Sequence, residues 1–210
     1  MDAVRIKYID EIENLATKII GEFGAYNAIH LRLGDFLTNY ASDEYAVDAG
    51  RFAKYIRATF LNEDIPILIA TDGLQEKALF AKMFSGYKLM FIDELIFDEY
   101  SNTYNSLEWT DFNVVTILNQ LICAAADMFI GTYRSTFTGI IHRLRQERHG
   151  KTDFNFFPDN KVARLMNDEM KIVPDRSGFF DWNRYSVFSG EHLDMSWMRE
   201  WEHALTMIDV

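Results

Sequence analysis

Positive charge, cysteine and long apolar runs are all scarce in this chain. Of its 210 residues, 21 are Lys or Arg and 32 are Asp or Glu, a formal net charge of −11. So acidic a chain is poorly suited to nucleic acid or anionic membranes, and any phosphate it binds must meet a local positive site. The single cysteine, Cys123, excludes an intrachain disulfide. It falls in a helical pattern, where a buried structural thiol is the expected state. No apolar run approaches the roughly eighteen residues of a membrane span. Asp2, Asp10, Glu11 and Glu13 within the first twenty residues are the wrong chemistry for a signal or transit peptide. The location expected is cytoplasmic by default, or a secretory lumen if the chain is part of a longer precursor. Neither GxGxxG nor GxxxxGK[ST] is present, so there is no dinucleotide fingerprint and no P-loop. His142, His149, His192 and His203 lack ligand-like spacing, and no metal site is expected.

What is present is an ordinary globular balance of 49% apolar and 25% charged residues, which excludes wholesale disorder. A chain of this length buries roughly 70% of the surface its unfolded form exposes. Ile9, Ile12, Ala16, Ile19 and Phe23 recur at helical spacing, with Gly21 and Gly24 closing the helix. AIHLRL follows as a strand with Ile29, Leu31 and Leu33 on one face and Ala28, His30 and Arg32 on the other. Residues 34–47 read as loop, and RFAKYIRATFL (51–61) as helix. IPILIA (65–70) is a continuous apolar run of the kind covered on both faces. A helix is expected over about 74–84 and a third strand at KLMFI, followed by a long polar loop over 93–111. NVVTILNQLICAAA reads as a helix with Val114, Leu118, Leu121 and Ala125 on one side. DMFIG is a fourth strand, and STFTGIIHRLRQERHG a helix ended by Gly150. On that helix Arg143, Arg145 and Arg148 are expected on the solvated side. Beyond about residue 151 the periodicity weakens into an irregular extension, with SWMREWEHALTMI as a closing helix.

Strand and helix thus alternate with short connections. The expected fold is α/β: a Rossmann-like, doubly wound parallel sheet with helices on both faces. Ligands bind such sheets outside the carboxyl ends of the strands. Three of those ends are polar here: His30, Arg32, Gly34 and Asp35; Thr71, Asp72 and Gly73; and Gly131 through Thr136. The guanidinium of Arg32 fits phosphate or carboxylate oxygens, or else forms a structural ion pair with Asp35 or another acid. Gly131 to Phe137 (GTYRSTF) offers free backbone N–H groups, hydroxyls and the positive end of a helix dipole; a plain N-cap is the alternative. Asp72 ends an apolar strand beside a glycine, in a site role or as a cap.

HLRLGDF (30–36), ILIATDG (67–73) and ICAAADMFIGTYRSTFTGIIHRLR (122–145) together resemble, in order and spacing, the motifs of the GDP-fucose protein O-fucosyltransferase family. The resemblance covers about residues 5–150. It implies one half of a GT-B glycosyltransferase: an interdomain-type helix at 1–25, then a donor-binding domain over 26–210. It implies metal-independent, inverting transfer of fucose from GDP-fucose to a Ser or Thr of an acceptor protein, with no cofactor. Arg32 would be the catalytic contact to the diphosphate. His30, Asp72, Asn119, Ser135, Thr136 and Phe137 would line the nucleotide-sugar pocket. Asn119 stands where many relatives carry an acid, and Leu33 where some carry a second arginine. The family's first half is not recognised in the chain, so a second Rossmann-like half or a partner chain is expected opposite Arg32. The rival reading is a non-catalytic GDP-binding or structural relative acting as a subunit of a larger assembly.

Overall fold

In the computed structural model, residues 7–32, 56–57, 59–73, 77–132, 135–151 and 156–157 are described. The sheet grows from three apolar segments. β1 (Asn27–Leu31) and β2 (Ile67–Thr71) are rich in Ile and Leu, and β4 (Phe129–Thr132) is buried throughout. β3 (Leu89–Phe91) and a two-residue β5 (Phe156–Phe157) form the edges. The order is β3-β2-β1-β4-β5, and every pairing is parallel. This is a Rossmann-like α/β sheet. Its order reverses between β1 and β4, which makes their carboxyl ends the switch point, the place where such sheets bind ligands.

Parallel strands need crossover helices, and these cover both faces. Ala28, Leu68, Ala70 and Phe129 face a core built from α1 (Asp10–Phe23), α5 (Phe112–Ala125) and α6 (Thr136–His149). Ile29, Leu31, Ile67, Ile69 and Ile130 face a second core with Phe80 and Phe84 at α2 (Lys77–Met83) and with Ile56 and Phe60. His30 has the parity of Ala28, so it faces α6. Gly24 ends α1 at φ 62°, while Gly21 lies inside the helix rather than at its end. Gly150 ends α6 in the left-handed region, its N–H donating to Gln146 O.

Three expectations are corrected. Residues 93–111 are not a loop: α3 (Ile92–Glu94) runs on through a π-turn (Leu95–Glu99) to α4 (Ser101–Asn105). Tyr100 N–H donates to Leu95 O, five residues back. Leu95, Ile96, Tyr100 and Tyr104 lie inside, and with Ile92 they recur at i, i+3, i+4, i+8 and i+12, a helical stripe stretched by the π-turn. Second, α5 is buried on more than one side, from Leu118 through Ala124, because it packs on α1 and α6 and also touches β1 and β2. Third, Arg145 is not on the solvated side of α6 but 0% exposed. Its Nη1 donates to Ala124 O and Ala126 O at 3.1 and 2.7 Å, and Nη2 to Asp127 O at 3.4 Å. It therefore closes the orphan carbonyls at the end of α5. Arg148 holds Glu13 with both nitrogens, at 2.7 and 2.8 Å, tying α6 to α1.

Cys123 is buried, and burial pushes its thiol pKa well above the ordinary value, as an inert structural cysteine requires. Among the described residues no helix is long and apolar enough to cross a membrane. The expected loop at 34–47, most of the helix at 51–61, and the irregular extension other than Lys151 and β5, with its closing helix, lie outside the described residues.

Candidate nucleotide site at the switch point

Each arm of the site begins where a strand runs out. β1 pairs Leu31 with Thr71 of β2, so Arg32 and Asp72 are the first residues past the paired edge on neighbouring strands. On the other side, Ile29 pairs with Ile130, which brings Thr132 level with Leu31. Thr132 then stitches the two strand ends together. Its Oγ1 donates to His30 O at 2.9 Å and accepts from Arg32 N–H at 3.0 Å. A side-chain hydroxyl thus continues the β1–β4 ladder, and the backbone at Arg32 is fixed where the guanidinium emerges, half-buried. At the end of β2, Thr71 Oγ1 accepts from Gly73 N–H, closing a tight turn beside the exposed Asp72.

α6 supplies the opposite wall. Gly131, on the α6 face of β4, leaves room for Thr138: an added Cβ would stand 2.1 Å from Thr138 Cγ2. Thr138 Oγ1 in turn lies 2.8 Å from His30 Nδ1. Phe137 covers the imidazole from one side, ring centroids 4.5 Å apart. Burial first, and then the neighbouring Arg32 charge, push the His30 pKa down to about 3. His30 is therefore a neutral, fixed ring, and Arg32 is the cation of the pair.

Ser135 is the N-cap of α6, yet its side chain caps nothing. It is fully buried, and its Oγ has no hydrogen-bond partner among the described residues. A buried hydroxyl left unpaired costs about 1–3 kcal/mol, so its position wants a reason. Here it stands at the positive end of a fourteen-residue helix, where an anion is favoured. Thr136 beside it is exposed. His30, Arg32, Ser135, Thr136 and Phe137 therefore gather at the switch point, with Asp72 on the adjoining strand end.

Asn119 lies apart from them on α5, on the same side of the sheet as His30. It is 7% exposed, its Nδ2 donating to Asp93 Oδ1 at 2.7 Å and to Val115 O at 3.0 Å. Its Oδ1 has no partner among the described residues. Sequence reasoning missed Thr132, Thr138 and Asp93. The threonines carry no motif of their own; their roles follow from which strand and helix face each other. Leu33, Gly34, Asp35, Tyr133 and Arg134 lie outside the described residues.

The family model described as GDP-fucose protein O-fucosyltransferase matches residues 2–148. GDP-fucose protein O-fucosyltransferase 2 from Homo sapiens is 28% identical over 160 residues, covering 74% of this chain and 35% of that protein. The protein of the same name from Pan troglodytes matches with the same identity and coverage. The chain thus spans about a third of the length of the curated relatives it matches, 35% in each.

Proposed function

Because the chain belongs to the GDP-fucose protein O-fucosyltransferase family, we propose that its switch point binds the diphosphate of GDP-fucose for fucosyl transfer to a Ser or Thr of an acceptor protein. The observation that carries this reading is Ser135: a buried hydroxyl with no partner among the described residues, at a helix N-terminus, its N–H donating to Thr132 O of the strand end that also holds Arg32 N–H. Glycosyl transfer leaves a diphosphate whose charge grows as the sugar bond breaks. Donors already in place stabilise that charge without reorganisation. Arg32 takes the catalytic role, its fork matched to phosphate oxygens. Ser135, Thr136 and the first N–H groups of α6 hold the remaining oxygens. The cation and the dipole together supply the charge compensation, and the transfer we propose is inverting and metal-independent.

The other residues shape the pocket. His30 holds Phe137 and the β1 exit in place, and a base with pKa about 3 is too weak to take a proton from the acceptor hydroxyl near neutral pH. Phe137 offers an apolar edge, Asp72 an acceptor at the rim, and Asn119 an acceptor for the nucleotide. The wall facing Arg32, which aligns the acceptor hydroxyl, belongs to a second Rossmann-like half or a partner chain, as in a GT-B arrangement. A non-catalytic GDP-binding role as a subunit of an assembly is the second reading, favoured by the uncharged Asn119.

The test is a thermal-shift series with GDP, GDP-fucose, GDP-mannose and UDP on the purified chain. At 100 times Kd a ligand should stabilise the fold by about 2.7 kcal/mol. GDP and GDP-fucose are expected to shift the transition, and Arg32→Ala to abolish the shift. A folded wild type indifferent to millimolar GDP removes the nucleotide role. GDP binding without fucosylation of acceptor domains, read by intact mass in the presence of the facing half, favours the non-catalytic reading.

A further inference from the structure

We propose that Thr132 is the positioning residue of the site, its hydroxyl and its carbonyl holding Arg32 on β1 and Ser135 at the start of α6 at a fixed spacing. This rests on the nucleotide role proposed for the site. Ala28 N–H donates to Met128 O. A regular parallel ladder would carry on from there two residues at a time, with His30 N–H on Ile130 O and Arg32 N–H on Thr132 O. At the last of these rungs the side chain takes over: Arg32 N–H donates to Thr132 Oγ1 at 3.0 Å. The hydroxyl has a single hydrogen, and that hydrogen goes to His30 O at 2.9 Å. Thr132 O is thereby left to accept from Ser135 N–H, at 3.3 Å. Thr132 is 3% exposed, so water does not compete for these bonds. One buried residue thus carries a hydrogen bond to each of the two elements that supply the anion site.

A diphosphate needs the strand end and the helix start at once, and Thr132 is their common reference. Valine matches threonine in shape and suits a strand equally well, but it has no hydroxyl. In its place Arg32 N–H and Ser135 N–H would share one carbonyl, and His30 O would face a methyl group. The guanidinium and the first N–H groups of α6 would then lose their spacing, although neither Arg32 nor Ser135 had been changed.

Equilibrium binding of GDP and of GMP to the wild type, Thr132→Val, Thr132→Ser and Ile130→Val tests this, with each variant's urea midpoint recorded. GDP differs from GMP by the second phosphate, the one that calls on both arms together. The wild type is expected to prefer GDP. In Thr132→Val the GDP-to-GMP affinity ratio is expected to fall by about tenfold, the effect of misplacing a hydrogen bond to a charged group. Thr132→Ser keeps the hydroxyl and is expected to hold the ratio within about twofold of the wild type. Ile130→Val trims the same strand two residues earlier, in the apolar core, and is expected to lower the midpoint at an unchanged ratio. Thr132→Ala carries the same expectation as Thr132→Val and replaces it should the valine variant not fold. A folded Thr132→Val that keeps the wild-type ratio overturns the proposal, as does a wild type that binds GDP no better than GMP. A serine variant whose ratio falls as far as that of valine overturns it too, and so does an equal fall in Ile130→Val, since Thr132 would then contribute only stability. Should the folded wild type bind neither GDP nor GMP, the nucleotide role itself fails, a result distinct from an unchanged ratio.

Discussion

Thr138 occupies the space in which a side chain at Gly131 would stand, its Cγ2 2.1 Å from an added Cβ and its Oγ1 at 2.7 Å. The same threonine holds His30. The close approach of α6 to β4 therefore sets the position of the imidazole. Gly131→Ala should destabilise the fold by roughly 1–3 kcal/mol, the usual cost of overpacking. Adding Thr138→Ala should recover part of that loss, because the two changes share one contact. Urea midpoints of the two single variants and the double variant measure the coupling; strictly additive losses would mean the crowding is relieved elsewhere.

Arg145 gives a second prediction. Its guanidinium is fully buried and donates to three backbone carbonyls at the end of α5. Arg145→Met keeps the length and apolar packing but leaves those carbonyls without their donor. The expected loss is roughly 2–3 kcal/mol, since hydrogen bonds to charged groups are the stronger kind. Arg145→Lys should fall between, as one ammonium cannot reproduce a fork. An unchanged melting curve for Arg145→Met would make the contacts energetically idle.

The titration of His30 sets a direction with pH. Folded, its pKa lies at about 3; unfolded, it returns to the ordinary value near 6.5. Between those limits the unfolded chain binds the extra proton, so stability rises with pH. It is fully present above about 6.5 and is lost as pH falls toward 3, by up to about 1.4 kcal/mol per pH unit from this one group. Glu13, its carboxyl held below the usual range chiefly by its hydrogen bond from Arg148, adds to the loss once pH falls through the carboxylate range. Denaturant midpoints between pH 4 and 7.5 should climb for the wild type and climb less steeply for His30→Gln. Equal slopes would mean that His30 is not held neutral.

Where alternation or a 3.6-residue stripe was strong, the sequence was a good guide: β1, β2, β4, α1 and α6 all stand where their apolar spacing puts them. The polar strand ends also led correctly to the switch point, because parallel order places them side by side. In the segment 92–105 the helical spacing of Ile92, Leu95, Ile96, Tyr100 and Tyr104 was present but masked, because Ser101, Asn102 and Asn105 imitate a loop. Arg145 was misread by weighing charge over position. It lies four residues past Ile141 and seven past Thr138, on the face that α6 buries, and the spacing alone would have placed it inside. Asp93 and Thr132 act on residues distant in sequence, and only the folded chain reveals their partners.

The end of α5 draws on a second cation as well: Lys151 Nζ donates to Ala125 O and Ala126 O at 3.0 and 2.6 Å. Both cations sit where β4 begins, at the edge of the sheet remote from the switch point. In a chain with net charge −11, positive charge is thus committed to backbone far from the mouth of the site. In the nucleotide role proposed, an anion approaching from a distance would meet the repulsion of that net charge, with attraction confined to the neighbourhood of Arg32 and the α6 N-terminus. Dissolved salt screens the long-range repulsion more than the contact pair. Capture of such a ligand should therefore speed up, not slow down, as ionic strength rises from very low values, the reverse of an enzyme that steers its substrate in.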